Sequence, residues 1–162
     1  MPIGKELITN SGFEDGVSGW TAVNARVDGE QGVPFTGSGS GYLGTTAGLE
    51  SSLTQVVTEV GPGRRYRLNL SLSAVEKGDH PEVNVTLVAN PWDPETNPDG
   101  TTVLNLTVPA NSLKVQPHYR VFEVYSTITP TDTAGATLTI VAAPAPTGNG
   151  VRVDDVSLVE RS

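Results

Sequence analysis

The chain has 162 residues, a length that suits one domain with a sizeable core, and 18 of them are glycine and 12 proline. It has no cysteine, which excludes disulfides and thiolate metal centres. A formal net charge of −8 opposes binding to a nucleic-acid backbone or an anionic membrane surface.

The opening stretch MPIGKELITN has no apolar core and no small-residue cleavage site, so it is not read as a signal peptide. The expectation is synthesis in the cytoplasm without an export signal, or an extracellular place if the chain is part of a longer parent. No apolar run reaches membrane-spanning length, so no membrane insertion is expected.

Strands are expected at 5–9, 20–27, 41–45 and 49–60, each bounded by Gly, Asn or Asp turns. The clearest alternation follows at 64–74, where Tyr66, Leu68, Leu70 and Leu72 point one way and Arg65, Arg67, Asn69, Ser71 and Ser73 the other. Residues 82–90 repeat it with Val83, Val85 and Leu87 inward, and 101–109 with Leu104, Leu106 and Val108. Further strands are expected at 119–128, 135–143 and 151–160, and no segment sustains a helical period. About ten strands punctuated by turns indicate an all-β fold. It would be an antiparallel β-sandwich of the jelly-roll kind, forming a single domain over 1–162.

Two positions stand out against this pattern. Trp20 borders a strand and is expected in the core with Phe13 and Tyr66. The adjacent carboxylates Asp154 and Asp155 interrupt the last strand, where they need solvent, a bulge or a cation.

The order ELITNSGFEDGVSGWTA, GSGSGYLG, LTQVVTEVGPGRRYRLNLSLSA and closing GVRVDDVSLVE resembles the carbohydrate-binding modules of families 4, 9 and 22. Those modules share a galactose-binding-like jelly roll, and the resemblance covers nearly the whole chain. It implies a structural calcium ion between the first turn and the last strand. Glu14 and Asp154 match the family's carboxylate ligands, with backbone carbonyls near Gly12 and Gly39–Gly41 completing an oxygen cage.

The stretch ANPWDPETNPDG places Trp92 in a proline-rich loop, as a platform for a sugar ring or an anchor for a protein partner. Its alternating Asp93, Glu95, Asn97 and Asp99 echo a calcium loop, but Leu106 stands where the bidentate glutamate belongs, so a hairpin loop is expected. Tyr42, Phe35 and Tyr119 are the other rings expected at the surface. Arg65, Arg67, Asn69, Ser71, Asn84, Thr86, Asn105 and Thr107 are read as a polar outer surface, with Arg65, Arg67 and Asn69 joining Trp92, Tyr42 and Tyr119 as ligand or partner contacts.

No nucleophile motif and no phosphate-cradling loop appears, so the chain is not expected to be an enzyme. The leading expectation is a bacteriophage virion surface protein, a capsid decoration or minor tail protein, with host-glycan contact. Its partners would be capsid or tail subunits, and it would be oligomeric on the virion. The alternatives are a free-standing carbohydrate-binding module that recognises a polysaccharide, and a glycan hydrolase.

Overall fold

The computed structural model describes residues 4–28, 37, 39–44, 48–93, 95, 97–115, 118–144 and 149–161. Phe35 and Pro94 lie outside the described residues. The strands are β1 (Thr21–Val23), β2 (Ala25–Asp28), β3 (Ser40–Leu43), β4 (Ser51–Val57) and β5 (Arg65–Ala74). They continue as β6 (Val83–Pro91), β7 (Thr101–Val108), β8 (Arg120–Thr127), β9 (Thr133–Ala142) and β10 (Val151–Arg161). All pairings between them are antiparallel.

They form two five-stranded sheets, β1-β4-β9-β6-β7 and β2-β3-β10-β5-β8, called here the first and second sheet. The sandwich expected from alternation is what forms. Leu53 and Val57 of β4, Val83, Val85 and Leu87 of β6 and Leu138 and Ile140 of β9 face inward from the first sheet. Tyr66, Leu68, Leu70 and Leu72 of β5 and Val151, Val153, Val156 and Leu158 of β10 face them from the second. Each such side chain withdrawn from water contributes about 1.5–3 kcal/mol, which is what holds two sheets face to face. Phe13 and Trp20 belong to the same core, as expected, and the structure shows their rings stacked at 5.3 Å.

Two expected strands turn out differently. Residues 20–27 are not one strand: β1 joins the first sheet and β2 the second. The chain crosses between layers at Asn24, whose φ of 50° lies in the left-handed region that asparagine tolerates. The Asn24 amide donates to Leu49 O and Ser51 Oγ and so fixes the crossing. Residues 5–9 do not form a strand either. They run antiparallel beside the end of β10 through a single bridge, Glu6 to Val159, where β3 has already stopped at its pairing with Val153. The Glu6 carboxylate accepts from both Ile8 N and Leu158 N.

The acidic pair in β10 sits at a bulge. Register shifts between Asp154 and Ser157, and Asp155 has a φ of 48°. One extra residue is thereby accommodated without breaking the pairing with β5.

Candidate functional site

Trp92 follows the last residue of β6. Its backbone N–H donates to Asp132 O at 2.8 Å, yet the residue is 76% exposed. A held backbone and a free indole are what a contact residue requires. The loop beyond it is stiffened by Asp93, whose carboxylate accepts from Glu95 N, and by Asn97, which donates to Thr101 Oγ1 and accepts from Gly100 N through its carbonyl. This is the expected hairpin loop.

The indole borders a cleft of about 360 Å³ lined also by Thr58, Glu59, Pro62, Arg64 and Thr133. The β4–β5 turn builds the opposite wall, closed by the mutual bonds of Arg64 O with Ile128 N and Ile128 O with Gly63 N. Glu59 pairs with Lys5 at 2.9 Å, and Arg64 lies 3.5 Å from Glu160. An aromatic face beside a guanidinium, a carboxylate and a threonine can pack on the apolar face of a sugar and bond to its hydroxyls.

The other expected contacts do not join Trp92. Tyr42 lies on the outer face of the second sheet and is partly buried, not an open ring: Arg26 of β2 and Arg152 of β10 each place a guanidinium 4.7 Å from its centre. Arg152 pairs across the sheet with Tyr42 on one side and Ser73 on the other. Tyr119 is also partly buried, and its hydroxyl is pushed above the ordinary tyrosine value. Burial is the main cause; the Ser40 and Ser73 hydroxyls beside it and the Arg152 charge oppose the shift, and the Asp154 charge adds to it. Ser40 and Ser73 are themselves wholly buried.

Farther along the same face, Arg65 lies 4.4 Å over the Tyr125 ring. Arg67 pairs with Tyr125 and Asn69 with Glu123 across the sheet. Asn84, Thr86, Asn105 and Thr107 belong to β6 and β7 of the first sheet, on the opposite side of the sandwich from Arg65, Arg67 and Asn69. The polar surface expected as one is therefore two, and Ser71, expected on it, is buried between its neighbours in the second sheet. On the first sheet the Asn84 amide donates to Asn105 Oδ1 at 2.7 Å and to Thr107 Oγ1 at 3.1 Å, so these groups satisfy one another.

At the meeting of the chain ends, the Glu14 carboxylate accepts from Gly39 N at 2.8 Å. A Cβ built on Gly12 would lie 3.5 Å from Asp155 Oδ1 and 3.8 Å from Glu14 Cγ, and one on Gly39 would run into Phe13 O. Phe13 O and the Glu14 carboxylate pack directly on Gly39, and Asp155 Oδ1 lies beside Gly12, so two carboxylates and a carbonyl come near one another. Such hard oxygens fit calcium. Asp154 pairs with Ser71 in β10 and is wholly buried, its Oδ1 accepting from Asp155 N. Among the described residues no three His, Asp or Glu side chains gather as a metal site.

Arg26 and Arg152 are polar side chains that sequence reasoning passed over. Arg152 could have been noticed, since an arginine between two valines of an apolar strand is as anomalous there as the aspartates that follow it.

No family model and no curated protein sequence matches the chain. Solved structures do match its fold. The enzymatically active domain of tailspike protein 4 from bacteriophage CBA120 superposes with a TM-score of 0.71 at 14% identity, over 96% of this chain and 21% of that one. The chain thus spans about a fifth of that tailspike structure. TmCBM61, solved in complex with β-1,4-galactotriose, gives 0.68 at 17% identity, over 98% of this chain and 100% of the module. A Stig cyclase from Fischerella sp. TAU gives 0.68 at 16% identity, over 96% and 97%. The chain therefore has the antiparallel β-sandwich, jelly-roll fold that these structures share.

Proposed function

We propose that this chain is a non-catalytic binding module that holds a glycan at the Trp92 cleft. The observation that carries the reading is the indole, 76% exposed on a backbone fixed to Asp132 and bordering a cleft with Glu59 and Arg64. The fold shared with a module solved on a galactotriose supports a carbohydrate ligand. Glycoside hydrolysis needs two carboxylates across the scissile bond. The described lining of the cleft offers one, Glu59, already paired with Lys5.

The test is calorimetric titration with galactan, xylan, β-glucan and bacterial cell-wall polysaccharides. At least one should bind, and Trp92→Ala should remove that binding without lowering the melting temperature. An unchanged affinity in the Trp92→Ala protein, or no binding across the panel, overturns the proposal. Release of reducing ends would overturn its non-catalytic part.

The virion setting is a second reading, supported by the likeness to a tailspike domain. It predicts that the protein copurifies with assembled particles. Calcium belongs to the proposal as a structural ion: Glu14, Phe13 O and Asp155 would hold it, with Asp155 in the place expected for Asp154. It would tie the first turn to the last strand.

A further inference from the structure

A second cavity, of about 390 Å³, lies at the entry to β8 and is lined by Ser112, Lys114, His118, Tyr119 and Arg120. It belongs to the opposite end of the strands from the Trp92 cleft: β5 runs from Arg65, near that cleft, to Ala74, which meets the segment lining this cavity. On a chain with a net charge of −8, Lys114 and Arg120 meet in one cavity with no carboxylate among its described lining residues. Neither has an ion-pair partner among the described residues. Two like charges gathered in one concave wall repel each other unless an anion enters between them.

The wall is also held in shape. Ala74 N donates to Lys114 O at 2.8 Å, and Val115 bridges Ala74. Leu113 N donates to the Nε2 of His80 at 2.9 Å, and the Asn111 side chain accepts from His80 N at 2.9 Å. His118 N closes a turn on Val115 O, and the Arg120 guanidinium rests 4.6 Å from the Phe122 ring centre. Ordering these groups in advance lowers the entropy lost when a ligand is bound.

We propose that this cavity binds an oxyanion substituent of an acidic glycan. Lys114 and Arg120 would hold the carboxylate or phosphoryl oxygens, and His118 and Ser112 the neighbouring sugar hydroxyls. The Tyr119 side chain would form the wall. A cavity of this size with two permanent cations suits one anionic group. The overall acidity of the chain opposes a long phosphate backbone. The inference takes its glycan ligand class from the proposed function but concerns a site separate from Trp92.

The experiment is an amide-shift titration of the full chain with galacturonate, galactose 6-phosphate, galactose and inorganic phosphate. Saturable shifts at Leu113, Lys114, His118 and Arg120 are expected with either acidic sugar and not with galactose; which acidic sugar binds more tightly identifies the oxyanion. Lys114→Gln and Arg120→Gln should each weaken binding about tenfold, and added salt should weaken it further. Both side chains are exposed, so the variants should keep the native melting temperature. Trp92→Ala should leave these shifts intact, which separates this site from the first. No saturable shift with either acidic sugar, equal shifts with galactose, or binding of inorganic phosphate alone overturns the proposal.

Discussion

The guanidinium of Arg152 lies 4.7 Å from the centre of the Tyr42 ring, although Arg152 is only 2% exposed. A charge withdrawn from water to that extent must be matched. Asp154, wholly buried two residues on, carries the opposite charge, and both fields reach the Tyr119 hydroxyl. Removing Arg152 would leave Asp154 without that compensation. Arg152→Ala is expected to cost about 3–5 kcal/mol of stability, measured by urea unfolding. Arg152→Lys should cost less, since it keeps the charge and loses only the flat stack on Tyr42. A cost for Arg152→Ala no larger than that of an exposed substitution would show that the buried charges are not coupled.

Tyrosine ionisation gives a second prediction. Burial raises the hydroxyls of Tyr66 and Tyr119 above their ordinary value of 10.0; for Tyr66 the hydrogen bond from Gly61 N opposes the shift. The unfolded chain therefore ionises first as pH rises. Stability is at its full value below pH 10 and falls as pH climbs from there toward the raised folded values. Thermal melts followed through the alkaline range should show this fall. Tyr66→Phe should reduce its steepness while costing about 1 kcal/mol at neutral pH, because the Gly61 N–H loses its acceptor. A melting temperature insensitive to pH beyond 10 would contradict the burial of both hydroxyls.

The oxygen atoms gathered at the chain ends give a third. Calcium at a hundredfold excess over its dissociation constant should add about 2.7 kcal/mol to unfolding. The measurement is a melting curve in chelator against one in millimolar calcium. Asp155→Asn and Glu14→Gln should each shrink the difference, and Asp154→Asn should not do so selectively. Superimposable curves for the native chain would rule the site out.

His80 supplies a fourth. The residue is 3% exposed, its Nδ1 lies 2.8 Å from Pro81 O, and its Nε2 accepts from Leu113 N. The two contacts require the tautomer with the proton on Nδ1. His80→Ala leaves the Leu113 N–H without its acceptor and should cost about 1–3 kcal/mol. Hydrogen exchange at Leu113 and Lys114 should accelerate more than exchange in β6. Unaltered exchange at Leu113 would mean that the segment is held by other bonds.

The layers of the sandwich were legible because burial on one face leaves a period of two in the sequence. Tyr66 to Leu72 and Val83 to Leu87 carry it plainly, and both runs lie where it places them. The two faces of the polar surface were not legible. Alternation says that Asn69 and Asn84 point outward, but not that their strands belong to different layers, since that depends on pairings between distant segments. The break at Asn24 was hidden for a related reason: 20–27 reads as one strand, and only the left-handed turn at a single asparagine divides it. The exposure of Trp92 could be anticipated from its proline-rich surroundings. The partial burial of Tyr42 could not, because the two arginines that cover it come from positions 26 and 152, brought beside it only by the fold.

The first described residues lie antiparallel against the last strand, with Gly4 N bonded to Glu160 O and Leu7 N to Leu158 O. Tension applied at those two ends would load these bonds one after another, as in opening a zip, instead of all together in shear. The domain would therefore begin to yield under pulling at low force by peeling away its opening segment, while the ladder between β10 and β5 stayed closed. The Glu14 and Asp155 carboxylates, proposed above to hold calcium, lie just inside that seam, where such an ion would act as a stop.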